Sequence, residues 1–116
     1  MKIYLAGPMR GIPEFNFPAF MAAAVKLRAD GHEVFNPAER DNHRHGTDIS
    51  KGNATGDDNV AAAEHGFDLR VALAEDLNFI CREADCVAML LRWKTSRGAR
   101  AEHAVALALG LEVIYL

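Results

Sequence analysis

Short apolar runs alternate along the chain with segments in which apolar residues recur at helical spacing. Four runs are typical of buried strands: residues 2–6, 33–35, 86–91 and 112–116. Three segments have the helical repeat: residues 17–29, 69–84 and 99–109. Strands that alternate with helices predict a parallel α/β sheet with right-handed crossovers and helices on both faces.

Local signals place the ends of the predicted helices. Asn16 is a plausible cap for the first helix and Gly31 lies just past its end. Asp68 is a natural cap for the second helix, and Gly110 ends the third. These signals agree with the apolar spacing, so the two kinds of pattern predict the same elements.

Residues 38–66 interrupt this order. Asp, Asn, His, Gly and Arg dominate the segment, and it predicts at most one or two helical turns, around residues 59–64. We therefore interpret residues 1–116 as one domain with a long irregular loop at 38–66. A loop of this length in a small domain is usually functional or mobile.

Three loops follow strands of the predicted sheet and should meet at one edge. They span residues 7–11, 36–37 and 93–98. Ligands bind beyond the carboxyl ends of the strands in sheets of this kind. The sequence therefore predicts a binding cleft at this edge.

The turn at residues 93–104, which reads WKTSRGARAEHA, supplies the first candidate chemistry. Ser96, Arg97 and Gly98 open a helix, where a hydroxyl, a guanidinium and backbone N–H groups favour a phosphate. We expect Glu102 to lie near that first turn, where the helix dipole lowers its pKa and favours an ionised nucleophile. The alternative is an ordinary helix start with a solvated glutamate.

Asp76 supplies a second carboxyl group. It lies three residues after Leu73 and four before Ile80, on the shoulder of the apolar stripe of its helix. A retaining glycosyl reaction needs one ionised carboxylate to attack the sugar and one acid to protonate the leaving group. Glu102 fits the first role, and Asp76 fits the second if burial and proximity raise its pKa. Asp76 as a solvated surface acid and Arg10 as a surface ion-pair partner are the alternatives.

Composition narrows the classes of function. The formal charge of −3 and the pI near 5.9 argue against binding of a nucleic acid polymer. Cys81 and Cys86 are expected to be reduced, buried thiols. No stretch is long and apolar enough for a membrane span or a signal peptide, so we expect a cytoplasmic protein without membrane partners.

The histidines do not predict a metal site. His43 and His45 flank Arg44 in the long loop, and a metal needs a tighter set of ligands than this. His103 follows Glu102 and points about 100 degrees away from it on a helix, so we expect a surface role. Trp93 either walls a base pocket or packs. We expect no metal and no cofactor.

The order and spacing of several motifs resemble the nucleoside 2-deoxyribosyltransferase superfamily. The motifs are IYLAGPMRG at residues 3–11, Asp76-Leu77, Ala84-Asp85, SRGARAE at residues 96–102, Ala106 and Gly110. The closest likeness is to a small branch common in phages and prophages, similar to 2′-deoxynucleoside 5′-monophosphate N-glycosidases. The resemblance implies a Rossmann-like or flavodoxin-like three-layer sandwich with about four to five parallel strands.

The resemblance also implies roles for individual residues. Glu102 takes the position of the nucleophile that accepts the deoxyribosyl group. Asp76 takes that of the acid that assists base departure, and Tyr4 that of the tyrosine that orients the nucleophile. These roles agree with the two-carboxylate chemistry derived from the residues themselves.

Two positions resemble the monophosphate hydrolases more than the nucleoside transferases. Ser96 stands where the hydrolases bind phosphate through a serine and the transferases have aspartate, and Arg10-Gly11 resembles the hydrolases' phosphate loop. Pro8 replaces a serine of that loop and removes one phosphate contact. The implied substrate-binding residues are Gly7, Met9, Arg10, Gly11, Ser96, Arg97, Gly98 and Ala99.

Three hypotheses follow. The first is an enzyme that hydrolyses or exchanges the N-glycosidic bond of a deoxynucleotide through a covalent Glu102 intermediate. The second is a catalytically silent module that binds or senses a nucleotide or nucleoside in the same cleft. The third is a structural phage protein with this fold. A small core gains from an interface, so we expect a homo-oligomer.

Overall fold

A computed structural model describes residues 1–40 and 68–116 of the chain. Its strands are β1 (Lys2–Ala6), β2 (Glu33–Phe35), β3 (Cys86–Met89) and β4 (Glu112–Tyr115). Its helices are α1 (Phe17–Ala29), α2 (Leu69–Arg82) and α3 (Arg97–Leu109). The strands form a parallel sheet in the order β2-β1-β3-β4.

The sheet is covered on both faces, which confirms the predicted three-layer α/β sandwich. Ile3 and Leu5 of β1 pack with Phe20 of α1 on one face. Tyr4 and Ala6, which alternate with them, pack on the other face against α2 and α3. The architecture is that of a Rossmann-like or flavodoxin-like sandwich with four parallel strands.

Element boundaries differ from the predicted ones by at most two residues. β1, β2 and α1 have the predicted bounds. α2 ends at Arg82, two residues early, and α3 begins at Arg97, two residues early. β3 ends at Met89, after which the Leu90 N–H still donates to the Ala6 carbonyl at 2.8 Å.

Two helix ends follow the sequence signals at Asp68 and Gly110, and Ser96 supplies a cap that was not predicted. The Asp68 carboxylate accepts from the Arg70 N–H at 2.9 Å, and Gly110 ends α3 with φ of 71°. Ser96 caps α3 through its hydroxyl. Asn16 is the N-cap residue of α1, as predicted, but it has φ of 60° and its side chain makes no capping hydrogen bond. The side-chain amide donates instead to the Pro8 carbonyl at 3.1 Å.

A left-handed turn precedes α1. Glu14, Phe15 and Asn16 have φ of 55°, 52° and 60°, a conformation that costs L-residues about 1–2 kcal/mol each. The turn places Phe15 in the core, where it is 3% exposed. Packing of the Phe15 ring in the core stabilises the turn in this conformation. No pattern in the sequence predicts the turn.

Residues 37–40 are helical, so the predicted irregular loop does not begin at residue 38. The Asn36 side chain accepts from the Ala38 N–H at 3.0 Å, as a helix cap does. Arg28 of α1 binds both carboxylate oxygens of Glu39, at 2.6 and 3.0 Å. The rest of that loop, including the turns expected at 59–64, lies outside the described residues.

The two cysteines are in different environments. Cys86 is buried in β3, and burial raises the pKa of its thiol. Cys81 is exposed on α2, so the prediction that both thiols are buried is wrong for this residue. Both are free thiols.

Within residues 1–40 and 68–116, no helix has the length and apolar character needed to cross a membrane.

Candidate active site

A cleft of about 190 Å³ opens beyond the carboxyl ends of β1 and β3. The chain leaves β1 towards β2 on one side and returns to β3 on the other, so the two neighbouring loops diverge there and leave a crevice. The cleft is lined by residues from the loop after β1, from α2 and from the start of α3. This is the edge at which the sequence predicts a binding site.

Tyr4 and Glu102 form a buried hydrogen bond at the bottom of this cleft. The Tyr4 hydroxyl donates to Glu102 Oε2 at 2.5 Å, and the two residues are 0% and 6% exposed. A hydroxyl that donates to a carboxylate favours the ionised form of that carboxylate. The structure therefore places Tyr4 where the resemblance predicts it, against the candidate nucleophile.

The pKa of Glu102 is raised from 4.5 to about 8. Burial is the largest cause, the charge of Asp76 also raises the pKa, and the Tyr4 hydrogen bond opposes both effects. The expectation that the helix dipole lowers the pKa of Glu102 is wrong. Glu102 is the sixth residue of α3, whereas the dipole acts within the first turn.

Glu102 lies on the buried stripe of α3. It shares that stripe with Ala99 and Ala106, which are 1% and 0% exposed. The spacing of three and four residues is that of one helix face. The alternative of a solvated glutamate is therefore wrong.

Asp76 lies beside the buried stripe of α2. It is four residues from Ala72 and four from Ile80, which are 5% and 1% exposed, and it is itself half-buried, as the predicted position on the shoulder of that stripe implies. Asp76 lines the cleft, and its charge raises the pKa of both Tyr4 and Glu102. The alternative of a solvated surface acid is wrong, and the two carboxyl groups share one site.

The residues at the start of α3 also line the cleft, and we call this part of it the anion end because its groups suit an anion. Ser96, Arg97, Gly98 and Ala99 all line the cleft here. The Ser96 hydroxyl accepts from the Ala99 N–H at 3.2 Å, so its own proton can be donated to a ligand. Arg97 is exposed, and the dipole of α3 adds partial positive charge.

The loop after β1 brings three more predicted residues to the cleft: Gly7, Met9 and Arg10. A Cβ at Gly7 would lie 2.7 Å from Leu90 Cβ, so glycine allows this loop to approach the end of β3. Arg10 is exposed and lines the cleft with Arg97, so two guanidinium groups border the anion end. Gly11 is not among the lining residues; its φ of 80° shapes the loop.

Trp93 lies outside the cleft, which decides between the two predicted roles. The Trp93 and His103 rings pack together with their centroids 4.2 Å apart. His103 Nε2 lies 2.9 Å from the Tyr115 hydroxyl oxygen. Trp93 is therefore a packing residue and not a wall of the base pocket. His103 points away from Glu102, as its place on the helix predicts.

An apolar wall was not predicted from the sequence. It is formed by apolar side chains that line the cleft, of which the larger are Phe15, Phe17, Phe20, Pro37, Leu69 and Leu73. Leu69 and Leu73 belong to the helical stripe of α2, and they remain partly exposed because they border the cleft. Leu69 and Leu73 have the same helical spacing as residues of the hydrophobic core. The sequence therefore does not show which apolar residues of α2 line the cleft and which pack in the core.

Among residues 1–40 and 68–116, no three His, Cys, Asp or Glu side chains are grouped to hold a metal ion. His43 and His45 lie outside the described residues.

Comparison with known proteins identifies a family. A family model described as a domain of unknown function, DUF4406, matches residues 1–115. This family is related to nucleoside 2-deoxyribosyltransferase-like proteins. No curated protein and no solved structure shows significant similarity to the chain.

Proposed function

The chain belongs to the DUF4406 family, and for it we propose cleavage of the N-glycosidic bond of a 2′-deoxynucleoside 5′-monophosphate through a covalent glycosyl-Glu102 intermediate. The observation that carries the proposal is the buried Tyr4–Glu102 hydrogen bond in a cleft that also holds Asp76. Two carboxyl groups at one site are what a retaining glycosyl reaction requires.

In the first step, a Glu102 carboxylate oxygen attacks C1′ of the sugar. The bond between C1′ and the base nitrogen breaks, and its electron pair leaves with the base. Asp76 donates its proton to the departing base. In the second step, water attacks C1′ and gives its proton to Asp76, and the bond to Glu102 breaks to restore the carboxylate. A second free base in place of this water gives transfer.

The reaction needs one proton shared by the two carboxyl groups. Because each negative charge disfavours the other, the pair retains one proton near neutral pH. The Tyr4 hydroxyl donates to Glu102 and so stabilises its ionised form. In the free protein near neutral pH this proton resides on Glu102, whose pKa is about 8. The reaction requires the other arrangement, with the proton on Asp76 and the charge on Glu102, and the Tyr4 hydrogen bond favours it.

The anion end of the cleft supports a phosphorylated substrate. Arg10 and Arg97 supply charge, the Ser96 hydroxyl supplies a donor, and the start of α3 supplies backbone N–H groups. Pro8, which has no N–H, lies in the loop where the hydrolases of the superfamily have serine. The likeness to the monophosphate hydrolases and to their phage-associated relatives is part of this proposal.

A silent nucleotide-binding module is the second candidate. The raised pKa of Glu102 favours it, because a protonated carboxyl group is not a nucleophile. The two candidates differ in one result, since only the enzyme releases a base.

A homo-oligomer remains part of the proposal. Exposed apolar side chains of α3 and β4 offer contact area: Leu107, Leu109 and Tyr115 are 58%, 48% and 61% exposed. Light scattering after size exclusion measures the assembly directly, and a monomeric mass at high protein concentration contradicts this part.

The test of the function is chromatography of nucleosides, deoxynucleosides and their 5′-monophosphates after incubation with the protein, with and without a second free base. Glu102→Ala is compared with Glu33→Ala, which changes an exposed glutamate. We expect base release from a deoxynucleoside monophosphate, lost in Glu102→Ala and kept in Glu33→Ala. Exchange with the added base identifies a transferase. Binding of a monophosphate without base release supports the silent module.

A further inference from the structure

Two phenylalanine rings pack against the ring of Tyr4. The Phe35 ring stacks on Tyr4 at a centroid distance of 5.5 Å and an interplanar angle of 25°. The Phe79 ring lies 6.3 Å from Tyr4 and 4.4 Å from Phe35. Phe35 comes from the end of β2 and Phe79 from α2, so three elements meet at these rings, which we call the aromatic brace.

Arg40 covers the outer side of this brace. Its guanidinium carbon lies 5.9 Å from the centroid of the Phe35 ring. Its Nε donates to Glu75 Oε1 at 2.7 Å, and Glu75 directly precedes Asp76 on α2. The outer end of the brace is thereby joined to the helix that carries the second carboxyl group.

The orientation of the Tyr4 ring decides what its hydroxyl can do. The hydroxyl of a phenol lies in the plane of its ring, and here it donates to Glu102 Oε2 at 2.5 Å. Asp76 is a second hydrogen-bond partner of the Tyr4 hydroxyl, and both carboxyl groups raise the pKa of Tyr4. Neither Phe35 nor Phe79 is among the residues that line the cleft. Phe35 and Phe79 carry no polar group that could reach the cleft. They can influence it only through their packing against the Tyr4 ring.

We propose that Phe35 and Phe79 are positioning residues that hold the Tyr4 hydroxyl on Glu102 and thereby set how readily Glu102 gives up its proton. The catalytic consequence rests on the proposed function, but the effect on Glu102 exists in the ligand-free protein. The titratable groups that act on Glu102 are Tyr4 from β1 and Asp76 from α2, and the charged side chains of Arg10 and Arg97 line the same cleft.

Two effects of loosening the brace have opposite signs. If the Tyr4 hydroxyl moves away from Glu102, the ionised carboxylate loses a donor and the pKa of Glu102 rises. If the brace only fills space, its loosening admits water, relieves the burial of Glu102 and lowers that pKa. The direction of the change therefore separates a positioning role from a filling role.

The experiment is a carboxyl ¹³C NMR titration of labelled glutamate in the ligand-free protein, with the Glu102 signal assigned from Glu102→Gln. Phe35→Leu removes the ring and keeps an apolar side chain. Val34→Ala is its control, because Val34 precedes Phe35 on β2 and packs on the opposite face of the sheet. Tyr4→Phe removes the hydroxyl, and so gives the full change in the pKa of Glu102 that loss of this hydrogen bond can cause.

We expect Tyr4→Phe to raise the pKa of Glu102 by about one unit or more. Phe35→Leu raises it by a part of that, and Val34→Ala leaves it unchanged. In the Tyr4→Phe background, Phe35→Leu has no further effect, because the hydroxyl through which it acts is gone. Phe79→Leu gives the second variant if Phe35→Leu does not fold.

A lowered pKa in Phe35→Leu overturns the proposal, and so does an equal shift with and without the Tyr4 hydroxyl. If the protein shows no turnover, the pKa measurements on Glu102 still test the positioning role of Phe35 and Phe79. Only the proposed function is then contradicted. Where turnover is present, Phe35→Leu lowers kcat more than it changes KM, since the brace touches no part of the substrate.

Discussion

Tyr4 on β1 and Glu102 on α3 are joined by a 2.5 Å hydrogen bond, 98 residues apart in sequence. Burial makes the charged form of Glu102 costly, and this bond is the contact that favours it. The site therefore keeps a carboxyl group close to the balance between its two protonation states, as an acid or base that works near neutral pH requires.

Glu102 should make the stability of the protein depend on pH. Its pKa is raised from 4.5 to about 8 in the folded protein. Between these two pH values the folded protein holds a proton that the unfolded chain releases, so stability is full below about pH 4.5 and falls as the pH rises to about 8. Glu102→Gln carries no charge and avoids this loss.

We therefore expect Glu102→Gln to match the wild type near pH 5 and to exceed it in stability at pH 9, by an amount on the order of a few kcal/mol. Urea unfolding at pH 5, 7 and 9 measures the difference. Glu33→Gln, at an exposed site, shows no such trend. If the difference in the free energy of unfolding between Glu102→Gln and the wild type is the same at all three pH values, the raised pKa of Glu102 is contradicted.

The rate should fall at alkaline pH. The pair formed by Glu102 and Asp76 loses its shared proton as the pH rises through about 8, and no acid then remains for the departing base. A profile of kcat/KM from pH 5 to 10 shows this limb. Tyr4→Phe, which removes the contact that lowers the pKa of Glu102, moves the limb to higher pH. A flat profile above pH 7 would refute the shared-proton mechanism.

The two cleft arginines should distinguish monophosphates from nucleosides. A hydrogen bond to a charged group contributes about 1.5–3 kcal/mol, so Arg10→Gln and Arg97→Gln each lower kcat/KM for a monophosphate by about ten- to a hundredfold. The value for the matching nucleoside stays unchanged. Arg100→Gln is the control, because Arg100 is exposed on α3 and does not line the cleft. Equal losses on both substrates contradict a phosphate site.

Ser96 should act both as a helix cap and as a ligand donor. Ser96→Ala and Asp68→Ala each remove the side-chain cap of one helix, and each should lower the free energy of unfolding by about 1 kcal/mol. Only Ser96 lines the cleft, so only Ser96→Ala raises KM for a monophosphate. Thermal unfolding and steady-state kinetics on both variants check this. A similar rise of KM in Asp68→Ala assigns the effect to stability alone.

Much of the fold could be predicted from the sequence, because its elements depend on local patterns. The cap at Asp68 and the end at Gly110 have local causes, and the structure has both. The left-handed turn at Glu14–Asn16 and the Asn36 cap were not predicted, since packing against distant residues holds them.

The chemistry of the site was harder to predict than its location. The location could be predicted because loops that follow parallel strands meet at one edge of the sheet. The pKa of Glu102 could not, because it depends on burial, which the spacing of residues in the sequence does not show. The same limit applies to Phe35 and Phe79, because their contact with Tyr4 exists only in the folded chain.

The most direct test of the central claim is mass spectrometry of the protein after reaction with a monophosphate whose sugar carries a 2′-fluorine, which slows breakdown of a glycosyl ester. We expect a mass increase of one fluorinated phosphosugar, mapped to the peptide that contains Glu102 and absent in Glu102→Gln. Base release by the wild type with no added mass, together with turnover by Glu102→Gln, would contradict it.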